Sequence, residues 1–146
     1  MRSGFSLIEV LIAAVIVSIF AVGAYQGYSA VYSAIILARH KALAADLANA
    51  QFEIIKNLPY SKVGVAGGNP NGVIPGTETV IRDNVSFFVT TTIINVDDSF
   101  DGILGEGDII PVDYKLVEIN IACSACKNFS PVIITSRVAP KNLERI

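Results

Sequence analysis

The sequence predicts an α+β protein in which one long N-terminal helix packs by its second half on a small antiparallel β-sheet. An apolar run opens the chain, and a helix-period pattern continues from it as far as Asn57. After a break rich in glycine and proline, short runs of β-branched and aromatic residues occupy the remainder.

The apolar run extends from Leu7 to Ala24 (LIEVLIAAVIVSIFAVGA) and is interrupted only by Glu9, Ser18 and Gly23. No charged side chain lies between Glu9 and Arg39. A helix of about 20 such residues crosses a bilayer core of roughly 30 Å, so residues 5–25 are expected to span a membrane. A cleaved secretory signal would have a shorter apolar region followed by a small-residue cleavage site, and this run is too long for one. Arg2 and the amino terminus place positive charge on the side that stays cytoplasmic, with Arg39 and Lys41 weighing against that rule from the other side.

Beyond the run, Leu43, Leu47, Ala50, Ile54 and Leu58 recur at spacings of three and four, while Arg39, Lys41, Asp46, Asn49, Glu53 and Lys56 fall mostly elsewhere. One continuous helix over residues 5–57 accounts for both patterns and would be on the order of 80 Å long. Pro59 ends it, because proline has no amide hydrogen and disfavours helical geometry in the residue before it. Residues 61–76 read as a turn-rich linker carrying Gly64, Gly67, Gly68, Pro70, Gly72, Pro75 and Gly76. Strands are expected at Thr77–Arg82, Val85–Val96, Asp113–Ala122 and Pro131–Val138. The third alternates polar and apolar residues, as suits a sheet with one face on the helix and one in water. Residues 58–146 thus form a globular head of one modest core.

Composition narrows the function classes. The 146 residues are 52% hydrophobic and 16% charged, with 11 basic against 13 acidic side chains and a formal net charge of −2. That balance supplies no basic field for nucleic acid, and no nucleic-acid partner is expected. An enzyme is not expected either: there is one histidine, His40, read as a surface residue of the long helix. No Ser/His/Asp constellation, phosphate-binding glycine loop or four-ligand metal pattern is present in the sequence.

Residues Gly4-Phe5-Ser6-Leu7-Ile8-Glu9-Val10 resemble the processing motif of bacterial type IV prepilins and of the related pseudopilins of type II secretion. The likeness is specific over Met1 to about Phe20, and extends over the rest as architecture, a type IV pilin-like fold. It implies a leader peptide of residues 1–4, removed by a prepilin peptidase that cuts between Gly4 and Phe5 and methylates the new amino terminus of Phe5. Glu9 stands out physically, since a carboxylate one turn inside an apolar helix is costly in hydrocarbon and needs a partner or a proton. The resemblance supplies that partner as the N-terminal amine of a neighbouring subunit, which gives Glu9 an assembly role. Gly23 and Gly27 fit a helix loosened in this region as the family's often are, or equally a surface for close helix packing.

The same resemblance implies a single-pass protein of the bacterial inner membrane with its head outside the cytoplasm, later part of a pilus or pseudopilus filament. Its partners would be other pilin subunits, the prepilin peptidase and the inner-membrane assembly platform. A different class of reading is a membrane-anchored extracytoplasmic binding or adhesion domain.

Two features of the head bear on these readings. Between Arg82 and Lys115 there is no basic residue, and DDSFDGILGEGD can be laid on a calcium-loop pattern. Asp97, Ser99 and Asp101 take the first, third and fifth positions, Gly102 the sharp turn, Ile103 a carbonyl at the seventh, and Asp108 the twelfth. The competing reading is a solvated acidic turn between strands; some pilins and pseudopilins hold calcium in such loops, so calcium is the one candidate cofactor. Cys123 and Cys126 (CSAC) fit a small disulfide if the head is extracytoplasmic, with free thiols next and metal or redox chemistry last. Pilins often carry a C-terminal disulfide, though usually around a larger loop.

Overall fold

The computed structural model describes Gly4, residues 6–98 and residues 112–140. Helix α1 covers Leu7–Asn57, a one-turn 3-10 helix follows at Tyr60–Lys62, and four strands complete the order: β1 Thr77–Arg82, β2 Val85–Val96, β3 Tyr114–Ala122 and β4 Val132–Val138. The expected α+β architecture is present, with a single antiparallel sheet in the order β1-β2-β3-β4. The chain divides into two compact units, residues 1–39 and residues 40–146.

The first unit carries the apolar part of α1, whose large side chains from Leu7 to Ile35 are exposed. It is long and apolar enough to cross a membrane, and none of that stretch is buried inside the protein. Ser18 and Ser33 donate their hydroxyls to the carbonyls of Ala14 and Ser29, at 2.7 and 2.9 Å. These bonds satisfy polar groups that an apolar surrounding would otherwise penalise.

In the second unit the sheet is a simple meander. Asp83 and Asn84, with φ of 48° and 61°, turn the β1–β2 hairpin in two residues, and positive φ at both central positions matches the twist of the strands they join. Val89 pairs with Glu78 on one side and Ile121 on the other, and Ile119 pairs with Ile134. This register places Phe87, Val89, Ile93, Val117, Ile119 and Ile121 on one face, all buried. Against them pack Ala44, Leu47, Ala48, Phe52 and Ile55 of α1.

The buried face of α1 differs from the expected stripe. Leu47 is in the core and Leu43 and Leu58 border it, but Ile54 is 58% exposed. The face centres on Ala44 and Ala48, whose small side chains let a helix approach a sheet closely. His40 is half-buried rather than fully at the surface. β3 begins at Tyr114, one residue after the expected start, and β4 at Val132, since Pro131 has no amide to give a ladder.

Residues 61–76, expected as a linker, are packed. Val63 and Ile74 are buried in the core, and Val65 bridges both Asn71 and Ile74. The loop closes on itself where Gly64 and Gly72 meet backbone to backbone: a Cβ at Gly64 would lie 2.5 Å from the Pro70 carbonyl oxygen, and one at Gly72 would collide with Gly64. Lys115, on the buried face of β3 and only 6% exposed, ties this loop to the sheet. Its ammonium donates to the carbonyls of Val63 at 2.6 Å and Tyr60 at 2.9 Å, and sits 4.5 Å from the centre of the Tyr60 ring.

Candidate functional site

The candidate site is the N-terminal end of α1. Gly4 is exposed, and a side chain there would meet nothing within 4 Å, so no contact among the described residues requires glycine at this position. Phe5 lies outside the described residues. Ser6 is the cap of α1: its carbonyl accepts from the amides of Glu9 at 3.0 Å and Val10 at 3.2 Å. Ser6 and Glu9 therefore stand in the S-x-x-E spacing of a capping box, with Glu9 at the third helical position, in the first turn. Reading Glu9 only as an acid inside an apolar run overlooks this, although the Ser6-to-Glu9 spacing was the available signal.

Magnitudes separate the two demands on Glu9. A carboxylate at a helix N-terminus gains about 0.3–1 kcal/mol from the helix dipole. A charge carried into hydrocarbon costs about 2.5–3.5 kcal/mol on insertion scales. The dipole covers less than half of that, so Glu9 in an apolar surrounding still wants a cation or a proton. Gly23 and Gly27 resemble Gly4 in that a Cβ at either meets nothing within 4 Å.

In the head, the candidate calcium ligands are only partly placed. Asp97 is exposed after the end of β2, while Ser99, Asp101, Ile103 and Asp108 lie outside the described residues. The ends of the acidic loop are brought together, because the Asp98 amide donates to a carboxylate oxygen of Asp113 and the Asp113 amide to the Val96 carbonyl at 3.1 Å. Among the described residues no group of three or more metal-ligating side chains occurs.

Cys123 and Cys126 form a disulfide across the β3–β4 connection, with Cα atoms 5.4 Å apart and both residues nearly buried. Beside it Phe129 packs tilted on Phe87, ring centres 6.2 Å apart. Burial pushes the Lys115 ammonium below the usual lysine range. The Tyr60 phenol is pushed up, first by burial and then by the charge of Asp113.

Comparison with known proteins isolates the same N-terminal region. Residues 1–25 match the Prokaryotic N-terminal methylation motif, the type IV prepilin-like signal. That motif indicates a type IV pilin-like or pseudopilin-like precursor, and it is a structural, pilin-type signal rather than an enzymatic one. No curated protein and no solved structure matches the chain. The match covers Gly4, Phe5 and Glu9 and leaves the head outside it.

Proposed function

We propose that this chain is a structural subunit of a type IV pilus or related pseudopilus, made as a precursor and held in the membrane through residues 5–25 before assembly. A prepilin peptidase removes residues 1–4 by cutting between Gly4 and Phe5, and the amine of Phe5 is methylated. Glu9 then meets the freed amine of a neighbouring subunit as the two helices come together. The observation that carries this reading is the methylation motif over residues 1–25 at the head of a long, exposed, apolar helix.

Physical support comes from each part. An exposed Gly4 with open space around it offers a peptidase an unhindered bond. Exchange of lipid for neighbouring apolar helices needs little new desolvation when a subunit enters a filament. The disulfide in the head accords with folding in an oxidising compartment outside the cytoplasm. Other pilin subunits, the peptidase and the inner-membrane assembly platform are the partners this reading requires.

Mass analysis of the N-terminus of protein purified from its native membrane tests the proposal. The expected result is a mature chain beginning at Phe5 and heavier by one methyl group. An intact, unmethylated Met1 terminus in cells with an active prepilin peptidase would refute it, and would leave a plain membrane anchor carrying a binding domain.

A further inference from the structure

The uncharged part of α1 is longer than a bilayer requires. Residues 10–38 hold no acidic or basic side chain and as a helix would rise on the order of 43 Å, against a hydrocarbon core of about 30 Å. Charge alone therefore leaves open which window lies in lipid, since residues 7–24 carry only Glu9, close to one end, and residues 20–38 carry no charge.

The polar side chains narrow the choice. Within residues 10–24 the one hydrogen-bonding side chain is Ser18, and its hydroxyl is already spent on the Ala14 carbonyl. From Tyr25 to Ser33 the sequence becomes YQGYSAVYS, in which Tyr25, Gln26, Tyr28, Ser29, Tyr32 and Ser33 all carry hydrogen-bonding groups. Tyr25, Tyr28 and Tyr32 stand at spacings of three and four, which puts them on one helix face. They are 71%, 70% and 55% exposed, and the rings of Tyr28 and Tyr32 stack with centres 6.2 Å apart and planes 15° off parallel. A ring with an apolar body and a polar tip is most favourable where hydrocarbon gives way to headgroups.

Distances along the axis agree. Residues 7–24 rise about 27 Å, close to the hydrocarbon thickness, which brings Tyr25 to its edge. Tyr28 lies roughly 4.5 Å further out and Tyr32 roughly 10.5 Å, while the headgroup layer on one side is about 5–8 Å thick. The tyrosine face thus crosses that layer and just emerges from it.

We propose that Tyr25 and Tyr28, with Tyr32 at their outer edge, form an interfacial anchor that docks in the headgroup layer of a bilayer and fixes residues 7–24 as the window in hydrocarbon. The anchor rests on the membrane-spanning reading given above and adds its register. It keeps the apolar side chains of Val31, Ile35 and Ile36 out of the lipid interior although nothing charged separates them from it. It also holds Glu9 within the first turn of that window, about 3 Å inside the opposite boundary.

The chain has no tryptophan, so a single introduced tryptophan reports its own depth. Full-length Tyr25→Trp, Tyr28→Trp, Tyr32→Trp and Ile16→Trp variants would be placed in phosphatidylcholine–phosphatidylglycerol vesicles at high lipid-to-protein ratio. Their lipids would be brominated either near the chain ends or near the carbonyls. Ile16→Trp should be quenched at least twofold more by deep bromines, and Tyr25→Trp at least twofold more by shallow ones. Tyr32→Trp should be little affected by either and emit at longer wavelength. Replacing all three tyrosines by leucine in the Ile16→Trp background should cut its deep-to-shallow ratio at least twofold, because the helix is then free to slide.

Deep quenching at positions 28 and 32 with normal behaviour at 16 would overturn the anchor alone. So would an unchanged Ile16→Trp ratio in the leucine background, or weak quenching at 25 and 28 that rises on dilution in lipid and marks coverage by a second copy of the chain. An Ile16→Trp variant that neither lipid quenches would overturn the spanning reading itself, and the anchor with it.

Discussion

Lys115→Met tests how the head is held together. The substitution keeps the length of the side chain and removes the ammonium that donates to Val63 and Tyr60. The Tyr60 carbonyl still accepts from the Val63 amide at 3.2 Å, so its loss is one of two bonds, about 0.5–1.5 kcal/mol. The Val63 carbonyl is left buried without that donor, a cost of about 1–3 kcal/mol. Relief from burying a charge offsets part of the sum, leaving a destabilisation of about 2 kcal/mol. For a head of this size that corresponds to a fall of roughly 10 °C in Tm. The assay is thermal unfolding of full-length protein in detergent micelles, followed by near-ultraviolet circular dichroism of the head tyrosines. The pH dependence gives a second reading. The folded state holds Lys115 below its ordinary 10.5, so the unfolded chain binds its proton more tightly. Stability should rise with pH from that lowered value up to 10.5. Tyr60 is held above its ordinary 10.0, so its contribution falls as pH rises from 10.0 through the raised value. Lys115→Met should abolish the rise and Tyr60→Phe the fall. A Lys115→Met protein as stable as the parent, with the same pH profile, would refute the clamp.

Gly4→Leu should leave the precursor uncut in the membrane, seen by N-terminal mass analysis as a chain that keeps residues 1–4; normal trimming would remove the cleavage assignment. Glu9→Gln preserves a hydrogen-bonding group at the third helical position but removes the charge, so insertion and cleavage should persist while the ratio of filament-borne to membrane protein falls severalfold. Equal incorporation of Glu9→Gln and parent in sheared filaments would mean that Glu9 serves the helix cap alone. Gly72→Ala should destabilise the head by about 2–3 kcal/mol, as overpacking against backbone does, with an unchanged Tm in micelles counting against the Gly64–Gly72 contact.

Much of the fold was legible because its signals are local. Runs rich in β-branched and aromatic residues marked all four strands, and the two residues left between β1 and β2 turned out to be a two-residue turn with φ of 48° and 61°. What escaped depends on tertiary packing. Alanine carries little weight in a hydropathy pattern, so Ala44 and Ala48 were passed over for Ile54, which is exposed. Glycine and proline in residues 61–76 correctly excluded a long helix but concealed that Val63 and Ile74 enter the core. In β3 the apolar phase of Val117, Ile119 and Ile121 places Lys115 inside and Leu116 outside. The clamp was therefore readable from register, once the apparent alternation was tested against it.

The candidate site was legible for a different reason: its residues are the ones the fold of the chain does not explain. Gly64 and Gly72 are accounted for within the molecule, because any side chain there strikes backbone. Gly4, Gly23 and Gly27 are not, since a Cβ at each meets nothing. Inside a helix each of the last two costs about 1 kcal/mol relative to alanine. Glu9 likewise retains a debt in hydrocarbon that the helix dipole leaves mostly unmet. Among the described residues no contact compensates Glu9, Gly23 or Gly27, which favours compensation by partners outside the chain. A peptidase reading Gly4, a neighbouring amine facing Glu9 and an adjacent helix approaching at Gly23 and Gly27 would each supply it. Glu9, Gly23 and Gly27 lie in the part of α1 whose large apolar side chains, from Leu7 to Ile35, are exposed, with Gly4 just before it, and partners along that stretch can read them in linear order, as a sequence motif does.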